Sequence, residues 1–112
     1  IKYTDAEKYR KRTGCEYGTV LDFLDELDRR GVTTRLRQVI IPGLNDDEEN
    51  ARRLGERRRT LRCVDEVELL PFRRLCIEKY ERMGIKFPLA ETPEPSRADL
   101  ARLQAIVDAA GR

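Results

Sequence analysis

At 112 residues the chain is the size of one small domain, and a domain that short hides only roughly two-thirds of the surface its unfolded chain exposes. Its 23 Lys and Arg stand against 21 Asp and Glu, for a net charge of +2, so the chain as a whole is not built to bind a polyanion. The fractions of 39% charged and 39% hydrophobic residues exclude a disordered tail, and the lack of any His excludes a Ser-His-Asp or Cys-His set and the common imidazole metal sites.

Ile1-Lys2-Tyr3 reads as the tail of a β-strand cut partway, so more chain is expected upstream. Thr4 and Glu7 form a Thr-x-x-Glu capping box, which predicts a short helix through about Arg12, stopped by Thr13-Gly14. From Thr19, the apolar residues Val20, Leu21, Leu24 and Leu27 recur at helical spacing, and Gly31 sits where a left-handed C-terminal cap is wanted. Between about residues 33 and 41 the pattern alternates as in a strand. Arg35, Arg37, Val39 and Ile41 share one face, and Thr34, Leu36, Gln38 and Ile40 the other.

Pro42-Gly43 turns the chain and Asn45 is the expected cap of the next helix, whose first turn carries Asp46, Asp47, Glu48 and Glu49 where the helix dipole favours negative charge. That helix points Ala51 and Leu54 inward, with Leu61 on the same side and most of its arginines outward. A second strand follows over about residues 64 to 72. A third amphipathic stretch runs from Leu75 to Met83, and the Pro-containing link Phe87 to Pro95 cannot be regular structure. Ser96 caps a final helix over about residues 96–110, with Leu100, Leu103, Ile106, Val107 and Ala110 as its apolar stripe. Strands alternating with helices imply parallel βα units. Two strands and a stub cannot close a barrel, so the expected fold is α/β, a single fragment spanning 1–112 of a larger barrel whose ligand sites lie at the C-terminal strand ends.

Chemistry-bearing residues are few. The seven glycines are scattered at turns and helix ends, so no phosphate-binding loop is present. The three cysteines, Cys15, Cys63 and Cys76, lie tens of residues apart, which suits neither a disulfide framework nor a metal motif. Arg37 alternates in phase with Val39 and Ile41: either it faces inward and binds an anion such as a carboxylate bidentately, or it lies on a solvated strand end. Lys2 has the same two readings. Glu68 is either an acid or base, or a strand-end carboxylate that is solvated or paired with an Arg. The runs Arg57-Arg58-Arg59 and Arg73-Arg74 lack aromatic stacking partners and read as solvated faces rather than a nucleic-acid surface, and Phe72 and Tyr80 read as core. No apolar run approaches the ~20 residues of a membrane span, and no basic-then-apolar stretch reads as a signal peptide, so a cytoplasmic location is expected.

The segment Arg35-Leu-Arg-Gln-Val-Ile-Ile-Pro-Gly-Leu-Asn-Asp-Asp-Glu-Glu49 resembles the Ile-Arg-Tyr-Val-x-Val-Pro-Gly-x-x-Asp-Asp stretch of pyruvate formate-lyase activating enzymes. Leu21-Asp-Phe-Leu-Asp-Glu-Leu27 is similar to the family helix before that strand. Val64-Asp-Glu-Val-Glu-Leu-Leu-Pro-Phe72 is similar to its Val-Glu-Leu-Leu-Pro-Tyr strand, and Tyr80-Glu-Arg-Met-Gly84, Pro88-Leu89 and the last helix follow in family order.

The resemblance covers essentially the whole chain. It implies the C-terminal portion of a partial (β/α)6, TIM-like radical S-adenosylmethionine barrel, in an enzyme that makes a glycyl radical on a partner such as pyruvate formate-lyase through a 5′-deoxyadenosyl radical. Lys2 and Arg37 match the residues the family uses for the amino-acid end of S-adenosylmethionine, and Val39 matches a residue lining the same pocket. Arg73 stands where the family commonly has a His near the adenine end. The Cys-x-x-x-Cys-x-x-Cys loop that holds a 4Fe–4S cluster is missing from this chain, so alone it is expected to be inactive. A flavodoxin-like or other reductant is implied as a further partner; no nucleic-acid or membrane partner is expected. The open barrel edge makes a homodimer of the fragment one expected form. The rival reading is a non-catalytic, truncated half-barrel that binds protein.

Overall fold

A computed structural model describes residues 1–112 as five helices and two strands. In chain order these are α1 (Ala6–Thr13), α2 (Tyr17–Arg29), β1 (Thr34–Ile40), α3 (Glu48–Arg59), β2 (Val64–Pro71), α4 (Ile77–Arg82) and α5 (Arg97–Ala110). β1 and β2 pair in parallel, with Arg35 beside Glu66, Arg37 beside Glu68 and Val39 beside Leu70. The chain is therefore α/β with a parallel two-stranded sheet. No helix is long and apolar enough to cross a membrane.

The alternation along β1 is the one its sequence predicts. Leu36, Gln38 and Ile40 are buried, whereas Arg35, Arg37 and Val39 are exposed. The buried face joins Leu24, Ala51, Leu54, Val64, Val67, Leu69, Leu103 and Val107 in the main apolar core. Helices cover this face alone, which leaves the other to carry charge. A smaller core packs Tyr3, Tyr9 and Tyr17, with Tyr9 and Tyr17 stacked at 5.3 Å between ring centroids.

Several local expectations are corrected. The cap of α1 is Asp5, which accepts from the Lys8 backbone N–H at 2.8 Å, and not Thr4. Thr4 is drawn away because its buried hydroxyl donates to Asn50 Oδ1 at 2.8 Å. α2 begins at Tyr17, ahead of Thr19, where the Tyr9 stack anchors its first turn. The cap of α3 is Asp47, which accepts from the Asn50 N–H at 2.9 Å, and not Asn45. The Leu75 to Met83 stretch forms only the short α4, with no buried residue, and Leu75 is 85% exposed. Phe87 of the following link supplies the packing instead, 4.9 Å from Tyr80 and 6.3 Å from the buried Phe72. Ile1–Tyr3 is not a strand, yet the Ile1 nitrogen donates to Arg37 O at 3.0 Å and so lies along β1.

Gly31 and Ser96 behave as expected. Gly31 has φ 66°, and the Val32 N–H reaches back to Leu27 O at 3.0 Å to close α2. Ser96 Oγ accepts from the Asp99 N–H at 3.1 Å.

Burial holds the Tyr17 phenol above its usual value of 10, although the nearby Arg57 guanidinium pulls the other way. A proton held more tightly in the folded than in the unfolded chain contributes stability below the unfolded pKa, and that contribution is lost as pH rises through the folded one. The melting temperature is therefore expected to fall as pH rises above about 10, and to fall less in Tyr17→Phe. Equal alkaline sensitivity of the two chains would remove Tyr17 as the cause.

Candidate functional site

A groove of about 310 Å³ opens on the uncovered face of the sheet and is lined by Ile1, Lys2, Tyr3, Arg12, Thr13, Arg37, Val39 and Ile41. The extended segment 1–3, the end of α1 and the end of β1 meet there, so residues far apart in sequence form one wall. Lys2, Arg12 and Arg37 give it three cations, and no carboxylate lines it. Such a surface favours a small anion, and a guanidinium is shaped to take a carboxylate bidentately.

Asn45 holds this wall together. At 1% exposure, its Nδ2 donates to Lys2 O at 3.1 Å and Val39 O at 2.9 Å, while its Oδ1 accepts from the Ile41 N–H at 2.7 Å. Gln38 Nε2 donates to Lys2 O as well, at 3.4 Å. A residue expected to cap a helix thus fastens the Lys2 segment to the end of β1. Sequence reasoning missed that role, because an Asn after Pro-Gly signals local turn or cap chemistry and nothing in its spacing points to a partner 43 positions away. It also missed Arg12, whose only signal is its place in the last, basic turn of α1.

Of the four residues the family resemblance singles out, the groove brings Lys2, Arg37 and Val39 together. Arg37 is exposed and its Nε donates to Glu68 Oε2 at 3.1 Å. Arg73 is not among the lining residues; it follows the strand end and pairs with Glu94 at 3.4 Å. Several other arginines meet acceptors of their own chain: Arg58 donates to Asp65 O at 2.9 Å, and Arg52 pairs with Glu49 and Glu56. A second groove, between α1 and the start of α3, mixes Lys8, Lys11, Arg12 and Arg53 with Asp5, Glu7 and Asp47, so its charges largely cancel. Cys15, Cys63 and Cys76 are free and separate, and no group of three His, Cys, Asp or Glu could hold a metal ion.

No family model matches the chain. It is 37% identical over 91 residues to the pyruvate formate-lyase-activating enzyme of Clostridium pasteurianum, covering 81% of this chain and 38% of that one. It is 30% identical over 111 residues to the pyruvate formate-lyase 1-activating enzyme of Escherichia coli strain K12, covering 99% of this chain and 45% of that one. The chain belongs to the pyruvate formate-lyase-activating enzyme family. It spans less than half the length of these relatives. A crystal structure of a domain of pyruvate formate-lyase-activating enzyme from Bacteroides vulgatus superposes with a TM-score of 0.76 at 18% identity, over 99% of this chain and 60% of that one, so the fold is shared. Within these 112 residues, Cys15, Cys63 and Cys76 form no set that fits an iron–sulfur cluster.

Proposed function

We propose that this chain is the C-terminal portion of a radical S-adenosylmethionine enzyme that generates a glycyl radical on a partner such as pyruvate formate-lyase. Its own contribution is part of the pocket for S-adenosylmethionine. The supporting observation is the groove where Lys2, Arg37 and Val39 meet, with three cations and no carboxylate on its walls. The methionyl end of S-adenosylmethionine carries the carboxylate that such a wall would take. Arg37 would grip it, Lys2 would add charge, and Val39, 43% exposed, would pack against the apolar part of the ligand.

Upstream strands would complete a TIM-like barrel over the open sheet face, lowering the dielectric around these charges and strengthening each contact. The same upstream part would supply the cysteines for a 4Fe–4S cluster. The enzyme would work in the cytoplasm with a flavodoxin-like reductant.

In the complete enzyme, Arg37→Ala is expected to weaken S-adenosylmethionine binding by about 10- to 100-fold, because a charge-assisted pair contributes about 1.5–3 kcal/mol. Titration calorimetry reads this directly, and wild-type affinity in the variant would end the assignment. A protein-binding half-barrel is the second reading, favoured by the exposed Leu75, Met83 and Ile85 around α4. Anaerobic isolation from the host separates the two: uptake of about four irons per complete polypeptide fits the activase, whereas a protein without iron and without affinity for S-adenosylmethionine fits the second reading.

A further inference from the structure

We propose that Glu68 is a positioning residue for ligand binding, which holds the Arg37 guanidinium by one edge and aims the other at a carboxylate in the groove. This rests on the reading of the groove as the S-adenosylmethionine site. Arg37 and Glu68 are register partners on β1 and β2, side by side on the uncovered face of the sheet. Glu68 Oε2 accepts from Nε alone, at 3.1 Å, and neither terminal nitrogen of Arg37 is hydrogen-bonded within the chain. A guanidinium has five N–H donors, and one carboxylate on Nε leaves the two terminal nitrogens as a free fork.

Arg37 lines the groove while Glu68 does not, so the carboxylate sits behind the cation rather than in the path of the ligand. An unheld Arg side chain on an open sheet face samples many rotamers, and each binding event must then freeze it. Glu68 would do that beforehand. One step along the same face, Arg35 and Glu66 form a similar pair at 2.9 Å, away from the groove. This neighbouring pair is an internal control for the loss of a cross-strand ion pair as such.

The test uses the complete enzyme, with S-adenosylmethionine and its decarboxylated form as probes in anaerobic titration calorimetry. Glu68→Ala is expected to weaken S-adenosylmethionine binding by about 10-fold and to leave the decarboxylated probe unaffected. Glu68→Gln should restore most of the affinity, because its amide oxygen still accepts from Nε, and Glu66→Ala should bind both probes like wild type. Equal weakening of both probes in Glu68→Ala would reduce Glu68 to a structural role. Tighter binding would show that it competes with the ligand for Arg37; either result overturns the proposal. Loss of affinity in Arg37→Ala with none in Glu68→Ala removes Glu68 alone. A wild-type enzyme that does not prefer S-adenosylmethionine to the decarboxylated probe removes the carboxylate-binding reading as well.

Discussion

Asn50→Ala is expected to destabilise the chain by about 2–5 kcal/mol, a large part of the roughly 5–15 kcal/mol that holds a small domain together. Asn50 is 5% exposed and occupies the centre of a buried polar network. Its Oδ1 accepts from Thr4 Oγ1 at 2.8 Å and from Gln38 Nε2 at 3.4 Å. Its Nδ2 donates to Gln38 Oε1 at 2.7 Å and to Asn45 O at 3.0 Å. No buried side-chain polar atom lacks a partner in the native chain, so truncation would strand several groups at once in a low-dielectric interior, where each costs about 1–3 kcal/mol.

Thermal and urea unfolding followed by circular dichroism measure the effect. Asn50→Asp sharpens the test. At neutral pH its carboxylate cannot donate to Gln38 Oε1, so a comparable loss is expected. As pH falls through the raised pKa of a buried acid, the protonated form regains a donor and the deficit narrows. A change below about 0.5 kcal/mol in Asn50→Ala, the usual size for a surface substitution, would show that the network contributes little.

Gly55→Ala is expected to destabilise by about 2–3 kcal/mol, although Ala in a helix interior ordinarily stabilises by about 0.5–1 kcal/mol relative to Gly. A Cβ at position 55 would lie 2.4 Å from Val107 O, 2.7 Å from Ala110 Cβ and 3.1 Å from the Gly111 nitrogen. Two of these obstacles are backbone atoms of α5 and its C-terminal cap, which no rotamer change can move, so α3 and α5 must separate along their contact. Leu54, Leu103 and Val107, each no more than 1% exposed, would lose packing as the helices part.

Gly18 in α2 has nothing within 4 Å of its ideal Cβ, so Gly18→Ala should raise the melting temperature. If Gly55→Ala raised it too, the close approach of α3 and α5 would not be a packing constraint. Ala110→Gly in the Gly55→Ala background should recover only part of the loss, because the clash with Val107 O remains.

Much of the fold is legible one segment at a time. The alternation of Arg35, Arg37 and Val39 against Leu36, Gln38 and Ile40 assigns both faces of β1, because a period of two leaves a strand little choice once one face is apolar. Gly31 and Ser96 mark helix ends through local backbone chemistry and need no distant partner. The errors fall on polar side chains whose partners are remote. Thr4 and Asn45 satisfy every local criterion for a cap, yet each is taken by a buried contact over 40 positions away. Asp5 and Asp47, next in line, became the caps. Likewise the apolar residues of Leu75 to Met83 have helical spacing but none is fully buried: Tyr80 packs on Phe87, which fills the space beside Phe72, while Leu75 and Met83 stay exposed.

By itself the sequence determined the order of helices and strands, the faces of β1, the family and the four residues Lys2, Arg37, Val39 and Arg73 as candidates, because periodicity, caps and motifs act over a few neighbouring residues. Only the tertiary structure decided that Lys2, Arg37 and Val39 share one groove, that Arg12 joins them, that Glu68 pairs with Arg37, that Asn45 binds distant segments rather than beginning a helix, and that Asn50 centres a buried network. The physical reason is that a buried donor or acceptor must find a partner wherever the packed chain supplies one, and that need outweighs a local preference worth about 1 kcal/mol.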